Sequence, residues 1–163
     1  MEHHTLDWRA KVEKLRDIPA AKARIDADLA AVPGYFLHRA NIINNFFAQH
    51  PSPVDITFLL EGALNFAHQF AYHFEGNNLL FYRPKSRSKL IKNTFLIGEA
   101  HPERELLFVD TDLIMGVAME DSAKHFIKLG YKSQNMHVYL NEGWGPELYR
   151  PVLGPLDKFH LLE

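Results

Sequence analysis

Residues 105–130 read ELLFVDTDLIMGVAMEDSAKHFIKLG, and this stretch decides the fold of the chain. Its apolar run, 106–109, is short enough for a strand that is buried on both faces of a sheet. Residues 110–112 then place two acids and a hydroxyl at the carboxyl end of that strand. After Gly116, apolar residues recur at spacings of three and four, which predicts a helix from about Val117. Ligands of open α/β sheets bind at this end of the strands, so a site is expected here.

The rest of the core alternates between strand and helix patterns. The predicted strands are 55–60, 79–82, 94–97, 106–109 and 135–140, and a helix is expected at 64–74. Such alternation is typical of an α/β protein with a central, mostly parallel sheet flanked by helices. We expect one domain with three parts: a helical amino-terminal addition at 1–50, an α/β core at 51–141 and an irregular arm at 142–163.

Three helices are predicted in the amino-terminal addition, at 5–15, 19–30 and 35–49, before prolines interrupt the pattern. The third carries an apolar stripe made of Phe36, Ile43, Phe46 and Phe47. Such a stripe is typical of a core-facing helix or of a dimer face. Because large exposed apolar patches are rare on monomers, we expect a homodimer that buries part of this surface.

Composition narrows the class of protein. The chain has 163 residues, of which 47% are hydrophobic and 23% charged, as expected for a globular domain. A net charge of −2 gives no reason to expect DNA binding, and the lack of cysteine excludes disulfides and thiolate chemistry. No apolar run approaches the roughly 20 residues that a membrane span needs. We therefore expect a cytoplasmic protein without a membrane partner.

A basic segment follows the second predicted strand. Residues 83–92 hold five cations and no acid. Such a segment is either a solvated loop or a flap that binds anions, because clustered cations attract and neutralise phosphates.

The order of these elements resembles the type I phosphoribosyltransferase family. Residues 105–130 resemble the family's phosphoribosyl-diphosphate motif, in which an apolar strand, two acids and a phosphate loop lead into a helix. ITFLLEGALNFAHQFAYHF resembles the first strand, the pyrophosphate loop and its helix, and LLFYRPKSRSK resembles the second strand and a mobile basic loop. NMHVYL resembles the strand after the motif, so the resemblance covers roughly residues 36–141.

The resemblance implies a set of site residues. Two acids would hold the ribose hydroxyls or Mg²⁺, as catalytic and metal-binding residues: Asp110 and Asp112. The 5′-phosphate would lie against a loop formed by Ile114, Met115, Gly116, Val117 and Ala118. Pyrophosphate would be bound by Glu61, Gly62, Ala63, Arg83, Lys85, Arg87 and Lys89. The nitrogenous base would stack on Trp144, which is otherwise a core or lid aromatic.

Departures from the family pattern favour a degenerate member. Thr111 stands where the second acid is usual, and the phosphate loop lacks the hydroxyls that donate to phosphate oxygens. Glu61 adds a negative charge to the pyrophosphate loop. We therefore expect a protein that binds a nucleotide or a protein partner without catalysis. The alternative is an active enzyme that transfers a phosphoribosyl group from phosphoribosyl diphosphate to a nitrogenous base.

Other site classes fit the sequence less well. DTDLI resembles the nucleophile motif of haloacid-dehalogenase-like phosphatases, but a whole βαβ unit precedes it here. The same strand resembles that of response-regulator receivers, but these need an acidic pair after the first strand. The ten histidines show no spacing that suggests zinc, so we do not expect a metal–histidine site.

Overall fold

A computed structural model describes residues 3–84, 94–111, 117–141 and 160–162 of the chain. Within these ranges four α-helices accompany a six-stranded sheet. The helices are α1 (His3–Arg16), α2 (Ile18–Ala31), α3 (Pro33–Gln49) and α4 (Val117–Lys128). The strands are β1 (Val54–Leu59), β2 (Asn78–Arg83), β3 (Phe95–Ile97), β4 (Glu105–Asp110), β5 (Met136–Leu140) and β6 (His160–Leu161).

The strand order is β3-β2-β1-β4-β5-β6, and every neighbouring pair is parallel except β2 and β3. The predicted neighbours β2, β1, β4 and β5 are confirmed, with β4 in the interior of the sheet. Because these strands run in parallel, their carboxyl ends lie at one edge, which we call the carboxyl edge. The amino ends of the same strands lie at the opposite edge, which we call the amino edge.

Strand β4 is buried on both faces, as its continuous apolar run predicts. Leu107 and Val109 pack with α1, α2 and α3 in one core cluster. Leu106 and Phe108 point to the other face and pack with Met119 and other residues of α4. Side chains alternate between the faces of a strand, so one short run supplies both cores.

The amino-terminal helices begin and end close to the predicted positions. Asp17 caps α2 by accepting a hydrogen bond from the Ala20 amide at 3.2 Å, and Pro19 lies in the first turn. In α3, Ile43, Phe46 and Phe47 are buried in the core of the chain itself. Most of the apolar stripe is therefore used within the chain, which removes much of the reason given for a dimer through these residues.

The helix predicted at 64–74 is wrong in type. The segment forms two 3₁₀-helices, Gly62–Asn65 and Ala67–His73. Leu64, Ala67 and Phe70 lie three residues apart and are all buried. In a 3₁₀-helix, side chains three apart share one face, so this spacing buries them together against the sheet, whereas an α-helix would splay them.

Part of the predicted irregular arm is a strand. Residues 160–161 form β6 beside β5, and the Leu162 amide donates to the Val138 carbonyl at 2.9 Å. Polar groups along a bare strand edge favour such pairing, which the local sequence does not reveal. None of the helices within the described ranges is long and apolar enough to cross a membrane.

Candidate functional site at the carboxyl edge

The carboxyl edge brings together three of the expected site elements. Strand β1 leads into the turn Glu61-Gly62-Ala63, β2 ends at Arg83, and β4 ends at Asp110. The register pairs Phe58 of β1 with Val109 of β4, so the two strands end side by side. The Leu60–Glu61 peptide bond is cis.

Arg83 and Glu61 form an ion pair at this edge. The Arg83 Nη2 atom lies 2.6 Å from Glu61 Oε1, and the two side chains are 17% and 38% exposed. The Arg83 guanidinium also lies 5.0 Å from the ring centre of Phe95 and 5.9 Å from that of Trp8. An anionic ligand must therefore compete with a carboxylate for this cation.

Gly62 lies against the end of β4. A Cβ atom built on Gly62 would stand 2.7 Å from Thr111 Oγ1, closer than real Cβ atoms approach a neighbour. Only a residue without a side chain fits there unless Thr111 moves. The close approach couples the turn after β1 to the acidic tip at the end of β4, which consists of Asp110 and Thr111.

The acidic tip is stabilised by its own backbone. The Thr111 amide donates to Asp110 Oδ1 at 2.8 Å, and Asp110 is half-buried. The Asn141 amide donates to the Asp110 carbonyl at 3.0 Å, which joins the ends of β4 and β5. These contacts hold the Asp110 carboxylate at the carboxyl edge.

Arg39 of α3 is a residue that no sequence pattern identified as part of this edge. Its Nε and Nη2 atoms donate to the Asn141 carbonyl at 3.0 and 2.7 Å. Its guanidinium also stacks on Tyr35, 3.5 Å from the ring centre. The amino-terminal half of α3 therefore covers the end of β5.

Several expected site residues lie outside the described residues. These are Asp112, Ile114, Met115, Gly116, Lys85, Arg87, Lys89 and Trp144. Of Val117 only the backbone is described, and it begins α4. Ala118 lies in the first turn, where its carbonyl accepts from Ser122 Oγ at 2.7 Å. The predicted helix after the loop is thus present, while the roles of the loop residues stay predictions.

A second cluster of polar side chains lies at the amino edge. His50 follows α3, Glu105 begins β4 and His137 lies in β5, and the ligand atoms of these three residues lie within 4.8 Å of one another. Burial lowers the pKa of His137, Glu105 acts in the opposite direction, and His50 and His160 lower it further. The cluster corrects the expectation of scattered histidines, because the fold joins residues that sequence spacing cannot relate.

Comparison with known proteins identifies the fold. No protein-family profile and no curated protein sequence matches the chain. Among solved structures, an adenine phosphoribosyltransferase from Giardia lamblia complexed with 9-deazaadenine is 14% identical, with a TM-score of 0.56 over 83% of this chain and 82% of that one.

Two hypoxanthine phosphoribosyltransferases are also similar, at lower scores. The Staphylococcus aureus protein is 12% identical, with a TM-score of 0.43 over 62% of this chain and 60% of its own. A Trypanosoma cruzi protein in a ternary substrates complex is 10% identical, with a TM-score of 0.48 over 64% of this chain and 66% of its own. None of these matches supports a haloacid-dehalogenase-like phosphatase. From its topology and its similarity to the Giardia enzyme, this chain has the type I phosphoribosyltransferase-like fold.

Proposed function

We propose that this protein is a catalytically degenerate phosphoribosyltransferase-like protein that binds a nucleotide at the carboxyl edge. The observation that carries this proposal is the ion pair of 2.6 Å between Arg83 and Glu61. Glu61 is an acid in the turn where the resemblance implies that pyrophosphate binds. Its ion pair with Arg83 occupies the cation that pyrophosphate would need.

The electrostatic cost of Glu61 can be bounded. Glu61 Oε1 lies 2.6 Å from Arg83, and a phosphate oxygen would contact the same guanidinium at about 2.7–2.9 Å. The phosphate oxygen would then lie roughly 4–5 Å from the Glu61 carboxylate. Two unit charges at this distance repel by about 3–4 kcal/mol at an effective dielectric constant of about 20, and by about 1 kcal/mol in water. Because Glu61 is 38% exposed, the lower part of this range applies. At about 1.4 kcal/mol per tenfold, the acid weakens pyrophosphate binding by roughly tenfold to a hundredfold.

Calorimetric titration tests the proposal. The ligands are phosphoribosyl diphosphate and a nucleoside monophosphate, each with and without Mg²⁺, and pyrophosphate release is measured with adenine, guanine and hypoxanthine. We expect no turnover and binding of phosphoribosyl diphosphate no tighter than high micromolar. Glu61→Gln should tighten binding about tenfold or more. The matched control is Glu103→Gln, which removes an exposed acid before β4, at the amino edge, and should change nothing.

An active phosphoribosyltransferase is the second candidate. The fold and the gathering of Gly62, Arg83 and Asp110 at one edge favour it. Asp110 offers carboxylate oxygen, the ligand type that Mg²⁺ takes, and Asp112 would add a second carboxylate. When bound, Mg²⁺ would neutralise charge on the pyrophosphate. Tight, Mg²⁺-dependent binding with pyrophosphate release by the unmodified protein would establish this candidate and refute the degenerate one. If no phosphorylated ligand binds, a protein partner becomes the better account of the edge.

We also propose a homodimer, through a surface other than the buried stripe of α3. Leu37 and Tyr72 are 56% and 54% exposed, and they line one open pocket between α2, α3 and the second 3₁₀-helix. Sedimentation velocity should show a dimer at micromolar concentration that Leu37→Glu dissociates, while Leu129→Glu, in a different exposed position, leaves it intact. A monomeric unmodified protein would contradict the proposal. A cytoplasmic location stays a prediction.

A further inference from the structure

The amino edge holds a cluster of imidazoles around one carboxylate. Glu105 is the first residue of β4, His137 is the second of β5, His160 begins β6, and His50 follows the last residue of α3. The cluster lies at the opposite ends of the strands from Asp110, so it is separate from the carboxyl edge. An open cavity of about 460 Å³ borders it, lined in part by Phe46, His50, His137 and His160.

The ligand atoms converge to within the reach of a metal ion. His137 Nε2 lies 2.8 Å from Glu105 Oε2. One ligand atom from each of His50, Glu105 and His137 lies within 4.8 Å of the other two. Zinc bonds of about 2.0–2.2 Å in a tetrahedral site place neighbouring ligand atoms about 3.3–3.5 Å apart. A metal would therefore separate the first pair slightly and draw His50 inward by about an ångström, which rotation of side chains can supply.

The rings are held in place by an aromatic neighbour. The ring centre of Phe46 lies 4.9 Å from that of His137 and 4.6 Å from that of His50. The same side chain thus packs against both imidazoles and restricts their orientations. Preorganised ligands lose less conformational entropy when they bind a metal.

A simple ion pair between His137 and Glu105 does not account for the cluster. The ring centres of His50 and His160 lie 4.8 and 5.0 Å from that of His137. That ion pair involves His137 alone and leaves two further imidazoles beside it. Neutral imidazoles of His50 and His137 offer lone pairs, and a cation between them and Glu105 would bind all three groups at once.

The chemistry of the donors selects the class of metal. Two imidazoles and one carboxylate suit Zn²⁺ and similar divalent transition metals, whereas Mg²⁺ and Ca²⁺ prefer oxygen ligands alone. His160 Nε2 lies 3.1 Å from the Gln134 carbonyl, and donation there leaves the lone pair of a neutral ring on Nδ1. A fourth position would be filled by His160 or by water from the cavity.

We propose that His50, Glu105 and His137 form a binding site for Zn²⁺ or a similar divalent transition-metal ion at the amino edge of the sheet. The three ligands come from the end of α3, from β4 and from β5. A bound metal would therefore connect α3 to strands β4 and β5. The site does not depend on the function proposed for the carboxyl edge.

Metal titration of the full chain, without a histidine tag and after treatment with a chelator, tests this site. We expect calorimetry to show one Zn²⁺ ion bound tightly per chain, and we expect a higher melting temperature with Zn²⁺. After cobalt loading, the protein should show the strong visible absorption of tetrahedral Co²⁺. His50→Ala and Glu105→Gln replace half-buried side chains and should each weaken Zn²⁺ binding by about tenfold or more. His137→Ala should abolish it.

Two control variants separate this site from others. His38→Ala removes an exposed histidine of α3, and Asp110→Asn alters the carboxyl edge; both should bind Zn²⁺ as the unmodified chain does. The proposal is overturned if the unmodified chain fails to bind Zn²⁺, or if His50→Ala and Glu105→Gln bind it as tightly as the unmodified chain. Because these two replacements leave the fully buried core intact, the conclusion does not require His137→Ala to fold.

Discussion

The hydroxyl of Tyr131 donates a hydrogen bond to the carboxylate of Asp55, which is fully buried near the start of β1. The His101 amide and Asn78 Nδ2 donate to the same carboxylate at 2.9 and 3.1 Å, and Arg104 lies 3.6 Å away. Burial raises the pKa of Tyr131, and Asp55 raises it further. One carboxylate thus connects the chain after α4 to the amino ends of three strands.

Loss of the Tyr131 hydroxyl should destabilise the fold. Tyr131→Phe keeps the ring but removes the hydrogen bond to the Asp55 carboxylate and the one that the hydroxyl accepts from the His101 amide at 2.9 Å. The free energy of unfolding should therefore fall by about 1.5–3 kcal/mol, the range for a hydrogen bond to a charged group, or more. Urea denaturation measures the change. Tyr35→Phe, at a 39% exposed position, is the matched control and should change stability by no more than about 0.5 kcal/mol. Equal effects of the two replacements would show that the hydrogen bond to Asp55 contributes nothing.

The contact between Gly62 and Thr111 predicts a coupled pair of substitutions. Gly62→Ala places a methyl group 2.7 Å from Thr111 Oγ1, and overpacking of this kind costs about 1–3 kcal/mol. Thr111→Ala removes the hydroxyl, so the double variant should recover most of that loss. Urea denaturation of the four proteins gives the coupling energy.

Gly34→Ala is the control for Gly62→Ala. Gly34 lies in α3, and a Cβ atom there would meet nothing within 4 Å. Alanine has the better helix propensity, so this variant should be as stable as the unmodified protein or more stable, by up to about 1 kcal/mol. If Gly62→Ala behaves in the same way, the turn after β1 is not coupled to β4 as described.

Restored hydroxyls in the loop should strengthen phosphate binding. Residues 114–118 carry no hydroxyl, and each missing bond to a phosphate is worth roughly 1.5–3 kcal/mol. Two such bonds amount to on the order of a hundredfold or more in affinity. Met115→Thr combined with Ala118→Thr should therefore tighten binding of phosphoribosyl diphosphate in a calorimetric titration with Mg²⁺. Met119→Leu, a conservative change in α4, is the control. If neither the unmodified protein nor the double variant binds phosphoribosyl diphosphate, the loop is not a phosphate site.

Acid should destabilise the protein through histidines whose pKa is lowered by full or partial burial. Burial lowers the pKa of His68 below its ordinary value of 6.5, Asp28 opposes the shift and Arg24 adds to it. Burial also lowers the pKa values of His73 and His125. Below about pH 6.5 the unfolded chain therefore binds protons that the folded chain does not, so stability falls as the pH decreases.

Thermal melts between about pH 7.5 and pH 5.5 measure this dependence. His68→Gln keeps a polar group beside Asp28 and should reduce the slope of melting temperature against pH. His38→Gln, at an exposed position, should leave the slope unchanged. A melting temperature that does not fall as the pH is lowered would contradict the pKa shifts.

The sequence predicted the sheet because its signals are local. The apolar run 106–109 identifies a doubly buried strand, and Pro19 marks the start of α2. The segment 64–74 was predicted as an α-helix because apolar residues recur three positions apart. This spacing places side chains on one face of a 3₁₀-helix, and it also resembles the spacing of an α-helix. Resemblance to the family supplied Glu61 and Asp110, but not the ion pair of Glu61 with Arg83.

The contacts that the sequence could not predict join distant segments. Arg39 of α3 contacts the carbonyl of Asn141, which is distant in the sequence. No pattern in the sequence around Arg39 identifies it as part of the site. His50, Glu105 and His137 belong to three elements that meet only after the sheet has formed. Periodicity reports which face of an element is buried, but it does not report which elements become neighbours.

Within the described ranges, the sheet ends at both sides in very short strands. β3 has three residues and β6 has two, so each outermost strand offers few unpaired backbone groups to another chain. Long, bare edge strands are the usual starting point for fibril formation and domain swapping. Loss of residues 160–162 would uncover the backbone of β5 at His137 and Val138, and a protein truncated in this way should accumulate as insoluble material during expression.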